Sequence, residues 1–118
     1  MKLSDVFADY LQYLTVEKGC TKRTVQCYSS WSNHFQKWLV ENGNESPTLA
    51  DFNTLTLKRY LYHISKRGIR PRTVRAAFYP LKGLGVYLKG LNAIETDPCQ
   101  PITLPKLDAA RREMVSDA

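Results

Sequence analysis

The heptad Gly-Cys-Thr-Lys-Arg-Thr-Val at residues 19–25 returns as Gly-Ile-Arg-Pro-Arg-Thr-Val at residues 68–74. Each copy lies where one run of apolar residues at helical spacing ends and another begins, so each predicts a junction between two helices. The glycine can adopt the left-handed conformation that ends a helix. The Arg-Thr pair then falls in the first turn of the next helix, where unpaired N–H groups and the helix dipole favour anions. Two such junctions suggest a clamp on a phosphate backbone.

Four amphipathic helices are predicted around these junctions. The first begins at Ser4 or Asp5 and ends at Gly19, and the second is capped by Thr21 and ends at Gly43. Both therefore have a start signal and a stop signal in the sequence.

The third and fourth helices meet at the second junction. The third is capped by Thr54 or Thr56 and ends at Gly68, and the fourth begins with Pro71, where a missing N–H costs nothing. The inward positions of the four helices share spacings of three and four residues. They are Leu3, Val6, Phe7, Tyr10, Leu11 and Leu14; Val25, Tyr28, Trp31 or Ser32, Phe35, Trp38 and Leu39; Leu57, Tyr60, Leu61 and Ile64; and Val74, Ala77, Phe78, Leu81, Leu84 and Leu88.

Two places depart from regular helical spacing. Leu49, Phe52 and Leu55 are expected to enter the core from an irregular connection between the second and third helices. Pro80 removes one backbone hydrogen bond inside the fourth helix, so we expect a kink there, and the glycines that follow weaken the second half.

The charge is unevenly distributed along the 118 residues, whose length suits one domain. Lys and Arg outnumber Asp and Glu by 17 to 11, and no acidic residue lies between Asp51 and Glu95. A basic segment that also has apolar periodicity favours a folded surface for a polyanion, with a merely solvated face as the alternative. Its cations are Lys58, Arg59, Lys66, Arg67, Arg70, Arg72, Arg75, Lys82 and Lys89.

Other classes of site have little support in the sequence. Cys20, Cys27 and Cys99 form no Cys-x-x-Cys pair, and neither histidine stands at ligand spacing from a second His or Cys, so we expect no metal site and no cofactor. The cysteines are expected to be reduced thiols in a cytoplasmic protein, with one disulfide and a leftover cysteine as the alternative. No long apolar run predicts a membrane span, and no small-molecule substrate is expected.

A series of residues along nearly the whole chain has a familiar order and spacing. In the order and spacing of these residues, the chain resembles the N-terminal core-binding domain of tyrosine recombinases, the phage-integrase family. The residues that carry the resemblance are Phe7, Tyr10-Leu11, Gly19, Thr24-Val25, Tyr28, Phe35, Trp38-Leu39, Tyr60-Leu61, Gly68, Thr73-Val74, Leu81-Lys82, Asp97-Pro98 and Leu104-Pro105-Lys106.

The resemblance implies an all-α fold, a small SAM-like bundle of four to five helices that lies on one face of duplex DNA. Residues 1–95 would form this DNA-binding domain, and residues 96–118 would be a linker towards a catalytic domain absent from the chain. Family catalysis uses a tyrosine nucleophile with arginine, lysine and histidine partners on that second domain. These catalytic residues cannot be identified in this sequence, so the fragment is expected not to be an enzyme. Its expected partners are double-stranded DNA and other recombinase protomers.

Outward positions of the fourth helix form the strongest candidate site. Arg72, Arg75, Tyr79 and Lys82 are spaced three, four and three apart, which makes one basic stripe opposite the inner face. Arginine can bind a phosphate or a guanine edge with two parallel hydrogen bonds, and the tyrosine hydroxyl can donate to a phosphate. We call these four residues the α4 stripe, and we expect them to contact DNA.

The second helix is expected to add a less charged set of outward side chains. The remaining candidate DNA-binding residues are Lys22, Arg23, Thr24, Gln26 and Cys27 in that helix, and Arg70 and Thr73 at the second junction. The alternative function is a helical protein-interaction module, in which the basic face meets an acidic partner and Trp31 or Trp38 anchors the contact.

Overall fold

The computed structural model describes residues 1–68 and 70–103, and the predicted tail beyond them lies outside the described residues. Within these described residues, four helices follow one another: α1 (Leu3–Val16), α2 (Lys22–Glu41), α3 (Thr54–Lys66) and α4 (Pro71–Gly90). A single 3-10 turn, Leu49–Asp51, lies between α2 and α3. The prediction of a small all-α bundle is confirmed.

The inner faces of the helices meet in one core. Phe7 of α1, Phe35 of α2, Tyr60 of α3 and Leu84 of α4 are all buried at its centre. The faces were predicted correctly in most positions, although Leu11, Val25, Tyr28 and Trp38 are only half-buried. On α2 the sequence left Trp31 and Ser32 open, and Ser32 is the buried residue because its hydroxyl donates to the Tyr28 carbonyl at 2.7 Å.

Two helix starts differ from the predicted ones. Helix α1 begins at Leu3, before Ser4 and Asp5, because the Leu3 N–H donates to the Pro47 carbonyl at 3.0 Å and extends the first turn. Helix α3 is capped by Asn53, whose side-chain oxygen accepts from the Thr56 N–H at 2.9 Å. Neither Thr54 nor Thr56 is the cap.

The connection between α2 and α3 contributes less to the core than predicted. Phe52 is buried and Leu49 is half-buried, but Leu55 is 60% exposed. The prediction for Leu55 was wrong because α3 has already begun at Thr54. Residues two apart on a helix point in nearly opposite directions, so burial of Leu57 turns Leu55 to the outside.

Helix α4 continues through Pro80 to Gly90. The glycines of its second half allow two close approaches. A side chain at Gly83 would collide with the Tyr10 hydroxyl, and one at Gly85 would collide with the Asp97 carboxylate. The helix therefore gains packing contacts where glycine lowers its intrinsic propensity.

Residues 97–102, which the sequence placed in the linker, pack on α3 and α4. The Thr54 hydroxyl donates to the Pro98 carbonyl at 2.7 Å, and the Cys99 thiol donates to the Leu81 carbonyl at 3.3 Å. Burial raises the pKa of Cys99 to about 12, which keeps this thiol protonated. The described part of the predicted linker is thus attached to the bundle, and the division of the chain at residue 95 stays a prediction.

Candidate nucleic-acid interface

The two repeated junctions have the glycine geometry that the sequence predicted. Gly19 has φ +65° and Gly68 has φ +75°, both in the left-handed region. A Cβ at either glycine would meet nothing within 4 Å, so the backbone conformation alone accounts for glycine there.

At the first junction, threonine hydroxyl groups cap the start of α2. The Thr21 hydroxyl accepts from the Thr24 N–H at 3.2 Å and lies 3.0 Å from the Thr24 hydroxyl. Both threonines are therefore engaged in the cap of α2. Lys22 and Arg23, which follow the cap, are exposed.

The second junction is built differently. Arg70 stands at the cap position of α4 with an extended backbone, and its side chain makes no capping hydrogen bond. Pro71 follows at the first helical position, and the Thr73 N–H donates to the Arg70 carbonyl at 2.9 Å. The exposed Arg70 side chain is thus not needed to close this helix end.

The α4 stripe lies on the outside of the bundle. Arg72, Tyr79 and Lys82 are exposed and Arg75 is half-buried, while the inner positions of the same helix are buried. Tyr79 is 49% exposed, which leaves its ring and hydroxyl accessible. The spacing rule correctly separated the two faces of this helix.

The candidate residues of α2 lie beside this stripe. Lys22, Arg23, Gln26 and Cys27 are exposed, whereas Thr24 and, on α4, Thr73 are half-buried. Tyr28 connects the two helices: burial first, and then Cys20, Cys27 and Tyr79, raise the pKa of its phenol. Tyr28 of α2 and Tyr79 of α4 line the same groove, so the two helices approach each other there.

A groove of about 620 Å³ opens between α1, α2 and α4. Tyr79 and Lys82 of the α4 stripe line it, together with Val86, which is 62% exposed. Sequence reasoning missed Val86 because Pro80 was expected to kink the helix, so the directions of side chains beyond Lys82 were not predicted. The signal was present, since Val86 follows Lys82 at the next four-residue step.

The tryptophans of α2 pack in a separate aromatic cluster towards α3. Trp38 lies 5.4 Å from Tyr60 between ring centroids, and Trp31 lies 5.4 Å from His34. His34 Nδ1 is 2.7 Å from the Tyr60 hydroxyl, and burial, followed by the charges of His63 and Arg67, lowers the pKa of His34. Because both tryptophans are half-buried in these contacts, they contribute to helix packing.

Three curated proteins are similar to this chain over most of its length. Tyrosine recombinase XerC of Herpetosiphon aurantiacus is 27% identical over 99 residues, which cover 84% of this chain and 32% of that protein. Putative tyrosine recombinase TTE1313 of Caldanaerobacter subterraneus is 27% identical over 103 residues, 87% of this chain and 34% of that protein. Tyrosine recombinase XerD of Listeria innocua is 28% identical over 107 residues, 88% and 35% respectively.

The chain is similar to tyrosine recombinases over most of its length. These similarities confirm the resemblance to tyrosine recombinases that was identified from the order and spacing of its residues. The chain spans about a third of the length of the curated relatives it matches. No family model matches it, and no solved structure matches it significantly.

Two kinds of feature are absent from residues 1–68 and 70–103, the part of the chain that the structure describes. No helix in these ranges is long and apolar enough to cross a bilayer. In the same ranges, no three His, Cys, Asp or Glu side chains are grouped so as to hold a metal ion. The candidate surface consists of cationic, hydroxyl, amide, thiol and aromatic groups, and its cationic and hydroxyl groups suit contacts to phosphates and bases.

Proposed function

We propose that this chain is a tyrosine recombinase domain that binds duplex DNA and positions a site-specific recombinase on its crossover site. One observation carries the proposal: Arg72, Tyr79 and Lys82 of the α4 stripe are exposed on one helix face, and Tyr79 lines the same groove as Tyr28 of α2. Cationic and hydroxyl groups on two adjoining helices suit a phosphate backbone, which presents closely spaced negative charges.

Different parts of the surface are assigned different roles. Arg70 and Lys22 at the junctions would hold phosphates, which fixes the register of the protein without reading sequence. Arg72 and Arg75 could also reach base edges, because arginine binds guanine with two parallel hydrogen bonds. With few base-reading side chains available, we expect modest sequence preference.

The rest of the recombinase would supply chemistry that this domain lacks. The three relatives are tyrosine recombinases about three times as long as the matched region. In the proposed role, the strand-exchange residues lie on a separate catalytic domain, other protomers pack alongside, and the protein works in the cytoplasm where its DNA is. The domain alone should form no denaturation-resistant adduct with a nicked suicide substrate.

A salt titration tests the proposed binding most simply. Fluorescence anisotropy of a short labelled duplex should give a dissociation constant of roughly 1 to 100 micromolar at physiological salt. Because phosphate contacts release counterions, the logarithm of the affinity should fall linearly with the logarithm of the salt concentration. A flat response would contradict the proposal and favour the protein-interaction alternative.

A further inference from the structure

The groove between α1, α2 and α4 has no role in DNA binding by the stripe alone. We propose that it holds a single unstacked base of the bound DNA. The inference rests on the proposed function and adds a ligand class to the same surface.

The walls of the groove are unusually aromatic. Five of the seven tyrosines of the chain line it: Tyr10, Tyr13, Tyr28, Tyr79 and Tyr87. Tyr87 lies 4.6 Å from Tyr13 and 5.5 Å from Tyr10 between ring centroids. Tyr79 is exposed and Tyr13, Tyr28 and Tyr87 are half-buried, whereas Tyr10 is buried behind them. The accessible rings can offer stacking faces to a base, and stacking contributes about 1 to 3 kcal/mol per base in proteins that bind single strands.

The groove is continuous with the proposed phosphate-binding surface. Tyr79 and Lys82 belong to both, so a nucleotide whose phosphate contacts the stripe lies within reach of the groove. Lys18 lines it as a second cation, and Glu17 as its acidic group. The cations suit the phosphates beside a displaced base, whereas a carboxylate and phenol hydroxyls suit the polar edge of the base itself.

The dimensions of the groove also fit a base. Its volume of about 620 Å³ lies within the roughly 300 to 1,000 Å³ of typical small-ligand sites. Gly83 and the Tyr10 hydroxyl approach closely along the groove, and any side chain at position 83 would collide with that hydroxyl. Glycine therefore keeps both the aromatic contact and the open space above it.

The free-energy cost of unstacking determines which bases can enter the groove. Unstacking a paired base costs a few kcal/mol, which is comparable with the stacking gain, so a fully paired duplex would keep its bases. A bulged or mismatched base has already lost most of its pairing. The domain should therefore prefer a duplex with one unpaired base by about tenfold, which corresponds to about 1.4 kcal/mol.

The test measures the ratio of affinities for a bulged and a fully paired duplex of equal length and charge. Tyr79→Ala removes one wall, and Val86→Trp fills the groove from an exposed position, so both should bring the ratio to about one. Tyr79→Phe keeps the ring and should keep the ratio. Tyr62→Ala is the matched control, because Tyr62 is an exposed tyrosine at 61% that does not line the groove.

The possible outcomes distinguish base binding in the groove from phosphate binding by the α4 stripe. A wild-type ratio near one, with salt-dependent binding of the paired duplex, overturns the base site and leaves DNA binding intact. A raised ratio that survives both Tyr79→Ala and Val86→Trp assigns the preference to bent DNA and also overturns the base site. Failure to bind either duplex overturns both proposals. Circular dichroism of every variant confirms that the helices remain folded.

Discussion

The two helix junctions share a sequence pattern but begin the helices that follow them in different ways. At the first, Thr21 caps α2 through its hydroxyl and engages Thr24. At the second, Arg70 occupies the cap position without a side-chain cap, and Pro71 begins the helix. The same arrangement of glycine, arginine and threonine can therefore serve helix stability at one site and leave cationic side chains uncommitted at the other.

This difference assigns unequal roles to the junctions. Beyond Lys22 and Arg23, the outward candidates of α2 are the uncharged Gln26 and Cys27, whereas the α4 stripe continues to Lys82. We infer that the second junction dominates DNA affinity and that the first contributes mainly to the stability of α2.

The largest expected difference is in DNA affinity. Arg72→Ala with Arg75→Ala should weaken duplex binding by a few kcal/mol, since charge-assisted contacts contribute about 1.5 to 3 kcal/mol each. Lys22→Ala with Arg23→Ala removes the same charge and should cost about 1 kcal/mol, because the next outward residues of α2, Gln26 and Cys27, add no charge to the contact. Anisotropy titrations at low salt measure both. Equal losses would show that the junctions do not differ.

The next effect concerns the junction glycines. Gly19→Ala and Gly68→Ala should each lower the free energy of unfolding by about 1 kcal/mol, because an L-residue in the left-handed region costs roughly 1 to 2 kcal/mol and a less flexible unfolded chain offsets part of it. Neither added methyl meets another atom, so the two losses should match. Urea denaturation provides the comparison, and a loss at one glycine twice that at the other would mean that it has a packing role.

The smallest effect separates the two caps. Thr21→Ala should destabilise the domain by about 1 kcal/mol, the usual contribution of a capping hydroxyl. Arg70→Ala should change stability by less than about 0.5 kcal/mol, since its side chain caps nothing. If chemical denaturation gives the opposite order, the assignment of stability to the first junction is wrong.

The sequence predicted the elements whose signals are local. Helical spacing identified the buried face of α4 and its outward stripe, and the left-handed glycines followed from their position between helices. Leu55 was misplaced because Asn53, Thr54 and Thr56 are all possible caps, and only the true cap turns Leu55 outward. Local signals therefore predict the presence of a helix better than they predict its first residue.

Contacts between distant residues could not be predicted in this way. Tyr10 of α1 approaches Gly83 of α4 where both line the groove, and the Thr54 hydroxyl donates to the Pro98 carbonyl. Neither pair shares a spacing or a motif. The exposed Val86 was the exception, since the periodicity of α4 already indicated it.

The central claim is that DNA affinity is localised on the α4 stripe. Lys2 and Lys37 provide the charge-matched control. They carry the same total charge as the arginine pair, but they line a different groove near the start of α1 and the later part of α2. One duplex titration should compare Arg72→Ala with Arg75→Ala against Lys2→Ala with Lys37→Ala, after circular dichroism has shown intact helices. Localised binding predicts at least a tenfold loss, about 1.4 kcal/mol, for the arginine pair and little change for the lysine pair. Equal losses would contradict the claim, because affinity would then arise from the net charge of the whole domain.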